Sequence, residues 1–554
     1  MPFPFARIYH LFLLLSAIGI ILLARLFYLQ IFISDDLAAL GLLGRVQEVK
    51  MVSLRGDILA RNGEKLTNSI EQYNLTIFPG KYYQKEGQVE ELSKILSRDS
   101  EELKREIKSI VKPKVIAENL SEDIIKKINQ LGLDGFIISK AKVRYGENIA
   151  NHIVGYINKS DNKGVSGIEY LYDDILKVAD EEYVAALIDA RSELIPGLSY
   201  KKLHLPEPYG NNDVRLTIDY GIQKKVEEIL DENKVHKAAV VVMNPKTGEI
   251  LSMVSRPNFM PGKIEDYFSA EDSPLLNRAV SSYQPGSVFK LVVAAAALEK
   301  DIVKPKEVFN DDGFIDVDGI IFRGWDEKSG KRKLTFEEAI AYSSNPVLIQ
   351  VGLKLGFENL KLFAQKFGFG NRTDLNFPNE TLGNLPTNDQ YHRGELANFS
   401  IGQGKCEVTP LQMACFTSAI ANDGSIPSPK LVIEINNRHG DSIKMIKTKE
   451  SKKIFSSKTA KILKDMMLGV TSYGTGQAAY VKEGGSAGKT GSAETGKVNE
   501  KGQSINHAWF VGFAPFDEPE YTVVVFVEDG MSGGNIAAPL FRQIIESIEK
   551  AEVT

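Results

Sequence analysis

The sequence predicts an α+β protein whose main sheet is closed by strands from the two ends of one long region. Residues 238–255 read AAVVVMNPKTGEILSMVS, two apolar β-type runs joined by the turn NPKTG, which is a hairpin signature. Residues 507–515 (HAWFVGFAP) and 521–530 (YTVVVFVEDG) form a second pair of apolar runs, and a helical stretch follows near Ala537 to Glu549. Helical patterns occupy the sequence between the two pairs. We therefore expect a central antiparallel sheet flanked by helices.

The composition excludes several functional classes. The 554 residues are 43% hydrophobic and 25% charged, as in an ordinary globular protein of two or three domains. A net charge of −5 provides no concentrated basic face, so we expect no nucleic-acid partner. With seven histidines, two cysteines and no CxxC or HExxH spacing, we expect no metal and no cofactor. Cys406 and Cys415 are close enough in sequence to pair, but a large core needs no cross-link, which favours two buried free thiols.

The N-terminal stretch predicts a membrane anchor. Residues 8–24 read IYHLFLLLSAIGIILLA between Arg7 and Arg25, and a further apolar run continues to Ile33. A spanning helix needs about 20 mostly apolar residues. A cleaved signal peptide and a buried core helix are the alternatives. No small-residue cleavage pattern follows the run and the run has no polar face, so we predict a retained anchor.

The middle of the chain predicts a docking or spacer module. From Asp35 to Glu207, amphipathic helical stretches such as VEELSKILSRDSEELKREIKSIV alternate with short β-rich pieces such as YNLTIFPG. The segment PEPYGNND at 206–213 is rich in turn-forming residues and predicts a boundary. The domains expected are a cytoplasmic stub and anchor, a pedestal and a C-terminal domain, at 1–36, 37–210 and 211–554.

The first chemical motif is YQPGSVFK at 283–290, followed by the helix-forming run LVVAAAALEK. The Pro-Gly turn places Ser287 at a helix N-terminus, and Lys290 projects from the same face. A serine hydroxyl needs a base, and a lysine serves as one only if burial lowers its pKa and keeps it neutral. The spacing alone is common in this chain, because it also fits Ser109/Lys112, Ser160/Lys163, Ser199/Lys202, Ser486/Lys489 and Ser547/Lys550. The turn and the apolar helix single out Ser287.

The second motif is Ser343-Ser344-Asn345, which lies between the amphipathic stretch LTFEEAIAY and the apolar stretch PVLIQVGLKLG. Pro346 predicts a break or kink between two helices. Such a break can present a hydroxyl and an amide to a cleft. Considered alone, such a tripeptide is more often an ordinary loop or helix cap.

The third motif is GGSAGKTGSAE at 484–494. A phosphate-binding P-loop would require glycine at position 483, where this chain has Glu483, and a carboxylate repels phosphate. We therefore reject the P-loop and predict a glycine-lined edge strand along which a substrate backbone can lie. Lys489 would meet a carboxylate, and the N–H of Ser492 would point at the scissile carbonyl.

In this order the motifs are the SxxK, SxN and KTG set, and the sequence resembles the class B penicillin-binding proteins, monofunctional peptidoglycan transpeptidases. The resemblance covers nearly the whole chain through RLFYLQ at 25–30, RGDILARNG at 55–63, GVSGIE at 164–169, IGQG at 401–404 and GTG at 474–476. It implies a transmembrane helix, an elongated pedestal of the dimerisation type and a transpeptidase domain like that of serine β-lactamases. The RGD string is a packing motif in this family, not an integrin ligand.

The resemblance also implies roles in catalysis. Ser287 attacks the carbonyl between the two terminal D-alanines of a stem peptide, and Lys290 takes its proton. Ser343 helps to pass that proton to the leaving D-alanine, Asn345 positions Lys290 and the substrate, and Lys489 holds the charge network near Ser343.

Substrate binding is implied for the KTG strand. Thr490, Gly491 and Ser492 contact the substrate, and the backbone N–H groups of Ser287 and Ser492 form the oxyanion hole. Family members often carry threonine where this chain has Ser492, and the hydroxyl is retained. A β-lactam, which imitates the D-alanine pair, is expected to acylate Ser287.

The expected partners are stem peptides, β-lactams, the bacterial cytoplasmic membrane, a multi-span membrane glycosyltransferase and other wall-synthesis proteins, with homodimerisation left open. The catalytic domain is expected outside the cytoplasm. Alternatives of the same fold are a D,D-carboxypeptidase, a β-lactamase and a non-catalytic scaffold; a β-lactam sensor is disfavoured because little sequence precedes Ile8. The acceptor amine and the role in elongation, division or sporulation stay open.

Overall fold

The computed structural model divides the chain into two compact units. The first comprises 1–54, 70–143 and 178–210, and the second comprises 55–69, 144–177 and 211–554. The structure describes residues 5–32, 46–53, 55–67, 70–77, 87–110, 114–133, 135–145, 149–158, 162–177, 181–187, 201–205, 212–324, 332–387, 392–437, 440–498, 502 and 504–552. Most of the predicted boundary segment, 206–211, lies outside these residues.

The N-terminal helix is as long and apolar as predicted. An α-helix runs over Phe5–Phe27 and continues as a π-helical segment over Tyr28–Phe32. Its stretch Tyr9–Ile31 has a mean hydropathy of 2.3, and no part of it is buried inside the protein. Twenty-three residues rise about 35 Å, enough to cross a hydrocarbon core of about 30 Å. An exposed apolar helix of this length fits a single-pass membrane anchor.

The described residues in the rest of the first unit form two three-stranded antiparallel sheets. One has Ile70–Ile77 between Lys114–Ala117 and Phe136–Val143, and the other is formed by Val46–Ser53, Glu181–Leu187 and Lys201–Leu205. The helices are Gln88–Ile95, Ser100–Ser109 and Glu122–Leu131. Apolar side chains of these helices pack with those of the first sheet in one core.

The predicted helical stretch at 89–111 is two helices rather than one. The first helix ends at Ile95, and Asp99 caps the second, because its carboxylate accepts the N–H of Glu102 at 2.8 Å. Aspartate is a preferred N-cap residue, since its oxygen pairs with a backbone donor that the helix leaves free.

The second unit is built on a five-stranded antiparallel sheet, which confirms the predicted fold class. Its strands lie in the order Ile250–Arg256, Ala238–Met243, Tyr521–Val527, Ser504–Ala514 and Ala487–Val498. The hairpin at 238–255 is present as predicted. Ala238–Met243 pairs with Tyr521–Val527, so sequence-distant strands close the sheet as predicted. Ala487–Val498, called the KTG strand below, lies at the edge.

Helices cover both faces of this sheet. Val240 and Val525 face a core that includes helices Tyr220–Glu232 and Ala538–Glu552. Val241 and Val524 face the larger core, to which the helices Lys290–Glu299, Pro410–Ala421 and Ser457–Ser472 contribute. Because neighbouring residues of a strand point to opposite faces, two buried faces require continuously apolar strands. The sequence runs at 238–243 and 523–527 have this character.

Smaller elements complete the second unit. Its other α-helices are Asn151–Val154, Gly167–Leu171, Asp173–Leu176, Phe336–Ala341, Asn345–Leu355, Phe357–Lys366 and Arg393–Ser400. Short 3-10 segments are Pro261–Tyr267, Arg278–Val280, Gly286–Phe289 and Gln477–Ala479, and a π-helical segment is Gly533–Ala537. A second sheet has the order Ser442–Met445, Val432–Asn436, Asp213–Leu216 and Ile58–Leu59. Two-stranded pairs join Val308–Asp311 to Arg332–Thr335, Phe314–Val317 to Ile320–Arg323, Ser425–Ile426 to Lys452–Lys453 and Ile157–Asn158 to Lys163–Gly164.

The strings RGD and GVSGIE meet inside the second unit. Arg55 Nε lies 2.5 Å from one carboxylate oxygen of Glu169, and Arg144 Nε lies 2.5 Å from the other. All three side chains are buried. Arg55 therefore has a packing role and is not available as a surface ligand. Cys406 and Cys415 are both buried and unpaired, as the size of the core favoured.

Candidate active site

The predicted nucleophile lies on a turn that opens a helix. Gly286–Phe289 forms a 3-10 turn, called the nucleophile turn below, and Lys290–Glu299 continues it as an α-helix. Ser287 is partly exposed, whereas Val288 and Phe289 are buried, so the turn presents the hydroxyl to solvent. Gly286 has a φ of +56°, and a Cβ there would lie 2.7 Å from the carbonyl oxygen of Ser492. Only glycine allows the turn to approach the KTG strand this closely.

Lys290 is completely buried below this turn. Its Nζ lies 2.6 Å from Asn345 Oδ1, 2.7 Å from the carbonyl oxygen of Ser343 and 3.3 Å from Ser343 Oγ. Burial, reinforced by the charge of Lys489 and opposed by Asp311, brings the pKa of Lys290 well below its usual value. This shift favours the neutral amine, the form that can accept a proton. Within the described part of the chain, no hydrogen bond joins Lys290 to Ser287.

The SxN motif lies at a sharp break between two helices, as predicted. Ser343 has a φ of +57°, the left-handed conformation, after the helix Phe336–Ala341. Ser344 caps the following helix, since its Oγ accepts the N–H of Val347 at 3.2 Å. Asn345 begins that helix, and its Nδ2 donates to the carbonyl oxygen of Arg323 at 2.8 Å. That bond fixes the amide so that its oxygen faces Lys290.

A second buried lysine reaches the same hydroxyl. Lys489 Nζ donates to Ser343 Oγ at 2.8 Å and to the carbonyl oxygen of Thr490 at 3.1 Å. Burial lowers the pKa of Lys489 to about 7. A hydroxyl can accept one hydrogen bond while it donates another. Ser343 is therefore placed to carry a proton between the two amines.

The KTG strand forms one wall of the site. Thr490 Oγ1 lies 2.7 Å from Thr475 Oγ1, and Ser492 Oγ accepts the N–H of Gly533 at 3.2 Å. A Cβ at Gly491 would lie 2.9 Å from Val288 Cγ1, so the nucleophile turn packs directly on this strand. The backbone N–H groups predicted for the oxyanion hole belong to these two adjoining elements. Their role stays a prediction.

Above these groups lies a cleft of about 990 Å³ in the second unit. Of the predicted residues, Ser287, Ser343, Asn345, Thr490 and Ser492 line it. Lys290 and Lys489 are buried and reach Ser343 from below. Gly491 is buried where the strand meets the nucleophile turn.

Several cleft residues were not identified from the sequence. They are Arg323, Asn398, Glu494, Asn506, Ser532 and Asn535. Glu494 was in principle detectable, because it follows Thr490 and Ser492 at the two-residue period of a strand. Arg323, Ser532 and Asn535 carry no comparable pattern. The strings IGQG and GTG, noted above without a role, supply Gln403 and Thr475 to the cleft.

Helices flank the sheet, and the serine turn and two buried lysines lie at its edge strand. This arrangement is typical of the serine acyl-transfer enzymes that share this α+β fold. The family model described as the penicillin binding protein transpeptidase domain matches residues 238–546. The model of the penicillin-binding protein dimerisation domain matches residues 50–185. The chain therefore belongs to the penicillin-binding proteins.

Curated relatives and a solved structure agree with this family. Stage V sporulation protein D of Bacillus subtilis is 31% identical, over 97% of this chain and 84% of its own length. Peptidoglycan D,D-transpeptidase MrdA of Acinetobacter baumannii is 29% identical, over 94% of this chain and 85% of its own. The crystal structure of penicillin binding protein 3 from Mycobacterium tuberculosis, complexed with aztreonam, superposes with a TM-score of 0.64 at 25% identity, covering 92% of this chain and 97% of that one.

Proposed function

We propose that this chain is a peptidoglycan D,D-transpeptidase that cross-links stem peptides through an acyl-Ser287 intermediate. The observation that carries the proposal is the convergence of Lys290 and Lys489 on Ser343 beside the nucleophile turn. The names of its relatives support the same activity, because MrdA is a peptidoglycan D,D-transpeptidase.

In acylation, Ser287 Oγ attacks the carbonyl carbon of the penultimate D-alanine while its proton passes to the neutral amine of Lys290. The negative charge on the carbonyl oxygen is stabilised by the backbone N–H groups of Ser287 and Ser492. The C–N bond then breaks, and the departing nitrogen takes a proton from Ser343 Oγ. Ser343 regains a proton from Lys290, so D-alanine leaves as a neutral amine and the ester remains on Ser287.

In transfer, the amine of a second stem peptide attacks the ester carbonyl. Its proton returns through Ser343 and Lys290 to Ser287 Oγ, and the new peptide bond completes the cross-link. A water molecule in place of the amine would give carboxypeptidase activity. The same acylation step applies to β-lactams, and aztreonam in the related Mycobacterium tuberculosis structure is one.

The charges of the cleft set the direction of the donor peptide. Its terminal carboxylate is attracted by the ammonium form of Lys489 and accepts hydrogen bonds from the hydroxyls of Thr490 and Ser492. The scissile carbonyl then lies beside Ser287. The residues before the D-alanine pair run along the KTG strand towards Glu494, antiparallel to it.

Membership of the family supports the location and partners that we propose. The anchor lies in the bacterial cytoplasmic membrane, with the catalytic domain outside the cytoplasm. In sequence, the proposed boundaries of anchor, pedestal and transpeptidase domain are 36/37 and 210/211, and the pedestal segments 55–69 and 144–177 belong to the same compact unit as 211–554. Glycan strands come from a multi-span membrane glycosyltransferase in a complex with other wall-synthesis proteins, and the pedestal provides a surface for homodimerisation.

The decisive experiment is labelling with a fluorescent penicillin, followed by mass mapping of the adduct. We expect one adduct, on Ser287, which is lost in Ser287→Ala. Ser547→Ala is the matched control, because Ser547 has the same SxxK spacing but lies on the C-terminal helix. An adduct on another residue would contradict the proposal. An adduct that hydrolyses within seconds would indicate a β-lactamase, and D-alanine release without amine incorporation would indicate a carboxypeptidase.

A further inference from the structure

The described part of the cleft wall carries very little formal charge. Among the described residues that line it, only Arg323 and Glu494 are charged. Arg323 lines the cleft, and its backbone carbonyl oxygen accepts the hydrogen bond from Asn345 Nδ2. Glu494 is on the KTG strand, and its side chain is exposed. The side chain of Glu494 makes no hydrogen bond or ion pair with any residue that the structure describes, so its carboxylate is available to a ligand.

The strand geometry places Glu494 at a defined point along the substrate. Thr490, Ser492, Glu494 and Gly496 all line the cleft, as alternate residues of one strand do. Two residues of a strand span about 7 Å. A donor peptide that lies antiparallel on this strand, with its scissile carbonyl beside Ser492, therefore has its preceding residue beside Ala493, one residue or about 3.4 Å from Glu494, a distance that a long side chain of that residue can span. In a stem peptide that residue is the diamino acid.

We propose that Glu494 selects donor peptides whose residue before the D-alanine pair ends in a free ammonium group, that is, stem peptides not yet cross-linked through that amine. This inference rests on the proposed transpeptidase function and on the donor direction given above. The carboxylate attracts the ammonium, whereas an amide-linked side chain gains nothing and a carboxylate is repelled. For an exposed charge pair of this kind, about a twofold to fivefold effect is expected.

The first test uses three penicillins that share one nucleus and differ only at the α-carbon of the phenylacetyl side chain. One is neutral, one carries an ammonium and one carries a carboxylate. We expect Glu494→Gln to slow acylation by the ammonium compound, relative to the neutral one, by about twofold to fivefold. The carboxylate compound should accelerate by a similar factor. Both shifts should shrink in 1 M salt, where the screening length falls to about 3 Å.

The second test uses peptide donors, Nα-acetyl-Lys-D-Ala-D-Ala and its Nα,Nε-diacetyl form. Wild type should release D-alanine from the first with about a twofold to fivefold higher kcat/KM, and Glu494→Gln should abolish the preference. Glu518→Gln is the matched control: Glu518 is exposed in the turn after the strand Ser504–Ala514 and is not among the residues that line the cleft. It changes the net charge equally and should leave both preferences unchanged.

The outcomes separate this inference from the proposed function. If none of the three penicillins acylates Ser287 in wild type, the transpeptidase proposal fails. If all three acylate Ser287 but their rate ratios are the same in wild type and Glu494→Gln, only the role of Glu494 is overturned. Equal shifts in Glu518→Gln would also overturn it, because they would show an effect of net charge alone.

Discussion

Ser343 Oγ lies 2.8 Å from Lys489 Nζ, although the two residues are 146 positions apart in the chain. The same oxygen is 3.3 Å from Lys290 Nζ. One hydroxyl thus connects two buried amines whose pKa values are both lowered by burial. In water both amines would be charged at neutral pH and would repel each other. Their burial is what makes proton exchange through Ser343 chemically reasonable.

The pH dependence of acylation should report Lys489. Its pKa is lowered from 10.5 to about 7, so the ammonium predominates below pH 7 and the neutral amine above it. The ammonium attracts the substrate carboxylate. We therefore expect the second-order rate constant for acylation to fall as the pH rises through about 7, since this constant follows the free enzyme. Lys489→Arg stays charged and should not show the fall. A wild-type profile that is flat from pH 6 to 9 would exclude this role.

Removal of the Asn345 amide should slow acylation without unfolding the protein. Asn345→Ala removes the shortest hydrogen bond of Lys290 and the bond that fixes the amide to Arg323. Poorer positioning of Lys290 should raise the activation free energy of acylation by about 1–2 kcal/mol, which lowers the rate about 5- to 30-fold. Asn359→Ala, on the helix Phe357–Lys366, is the control. Equal acylation rates in Asn345→Ala and wild type would contradict the positioning role.

Two glycines of the string IGQG should differ in their tolerance of alanine. Gly402 and Gly404 have nearly equal φ values of +68° and +71°, so the conformational cost of alanine is similar. A Cβ at Gly402 would lie 2.3 Å from the Gly286 carbonyl oxygen, whereas one at Gly404 would lie 3.4 Å from its nearest neighbour. Gly402→Ala should therefore lower the free energy of unfolding by about 1–3 kcal/mol more than Gly404→Ala. It should also slow acylation, because Gly286 precedes Ser287. Equal decreases in the free energy of unfolding would contradict this prediction, because they would show that the Gly286 carbonyl shifts away from a Cβ at position 402 at no cost.

The buried ion-pair cluster should contribute to stability and not to chemistry. Glu169→Gln leaves Arg55 and Arg144 without their shared buried carboxylate, and breaking a buried pair costs about 3–5 kcal/mol. Asp318→Asn is the control, because the pair of Asp318 with Arg393 is exposed on both sides and should contribute less than about 1 kcal/mol. Urea unfolding measures both. Acylation per folded molecule should be unchanged in Glu169→Gln, and a large fall in that rate would assign the cluster a further role.

Local pattern was sufficient for the secondary structure of the main sheet. The runs at 238–243 and 523–527 are apolar at every position because both faces of their strands are buried. The break at Ser343 was signalled by Pro346, and the turn at Ser287 by Pro285. The prediction of one helical stretch at 89–111 is wrong, although Asp99 followed by Glu102 is a helix-start signal. Each of these features depends on residues a few positions apart.

The sequence by itself determined which groups the protein possesses and on which turns and strands they lie: Ser287 and Lys290 one turn apart, and Lys489 on a glycine-lined edge strand. Only the tertiary structure decided that Ser343 lies between the two lysines, that Arg323 holds Asn345, and that Glu494 lines the cleft. The physical reason is that turns and periods are set by near neighbours in sequence. Burial, and the pKa shifts that it produces, arise only when distant segments pack together and exclude water.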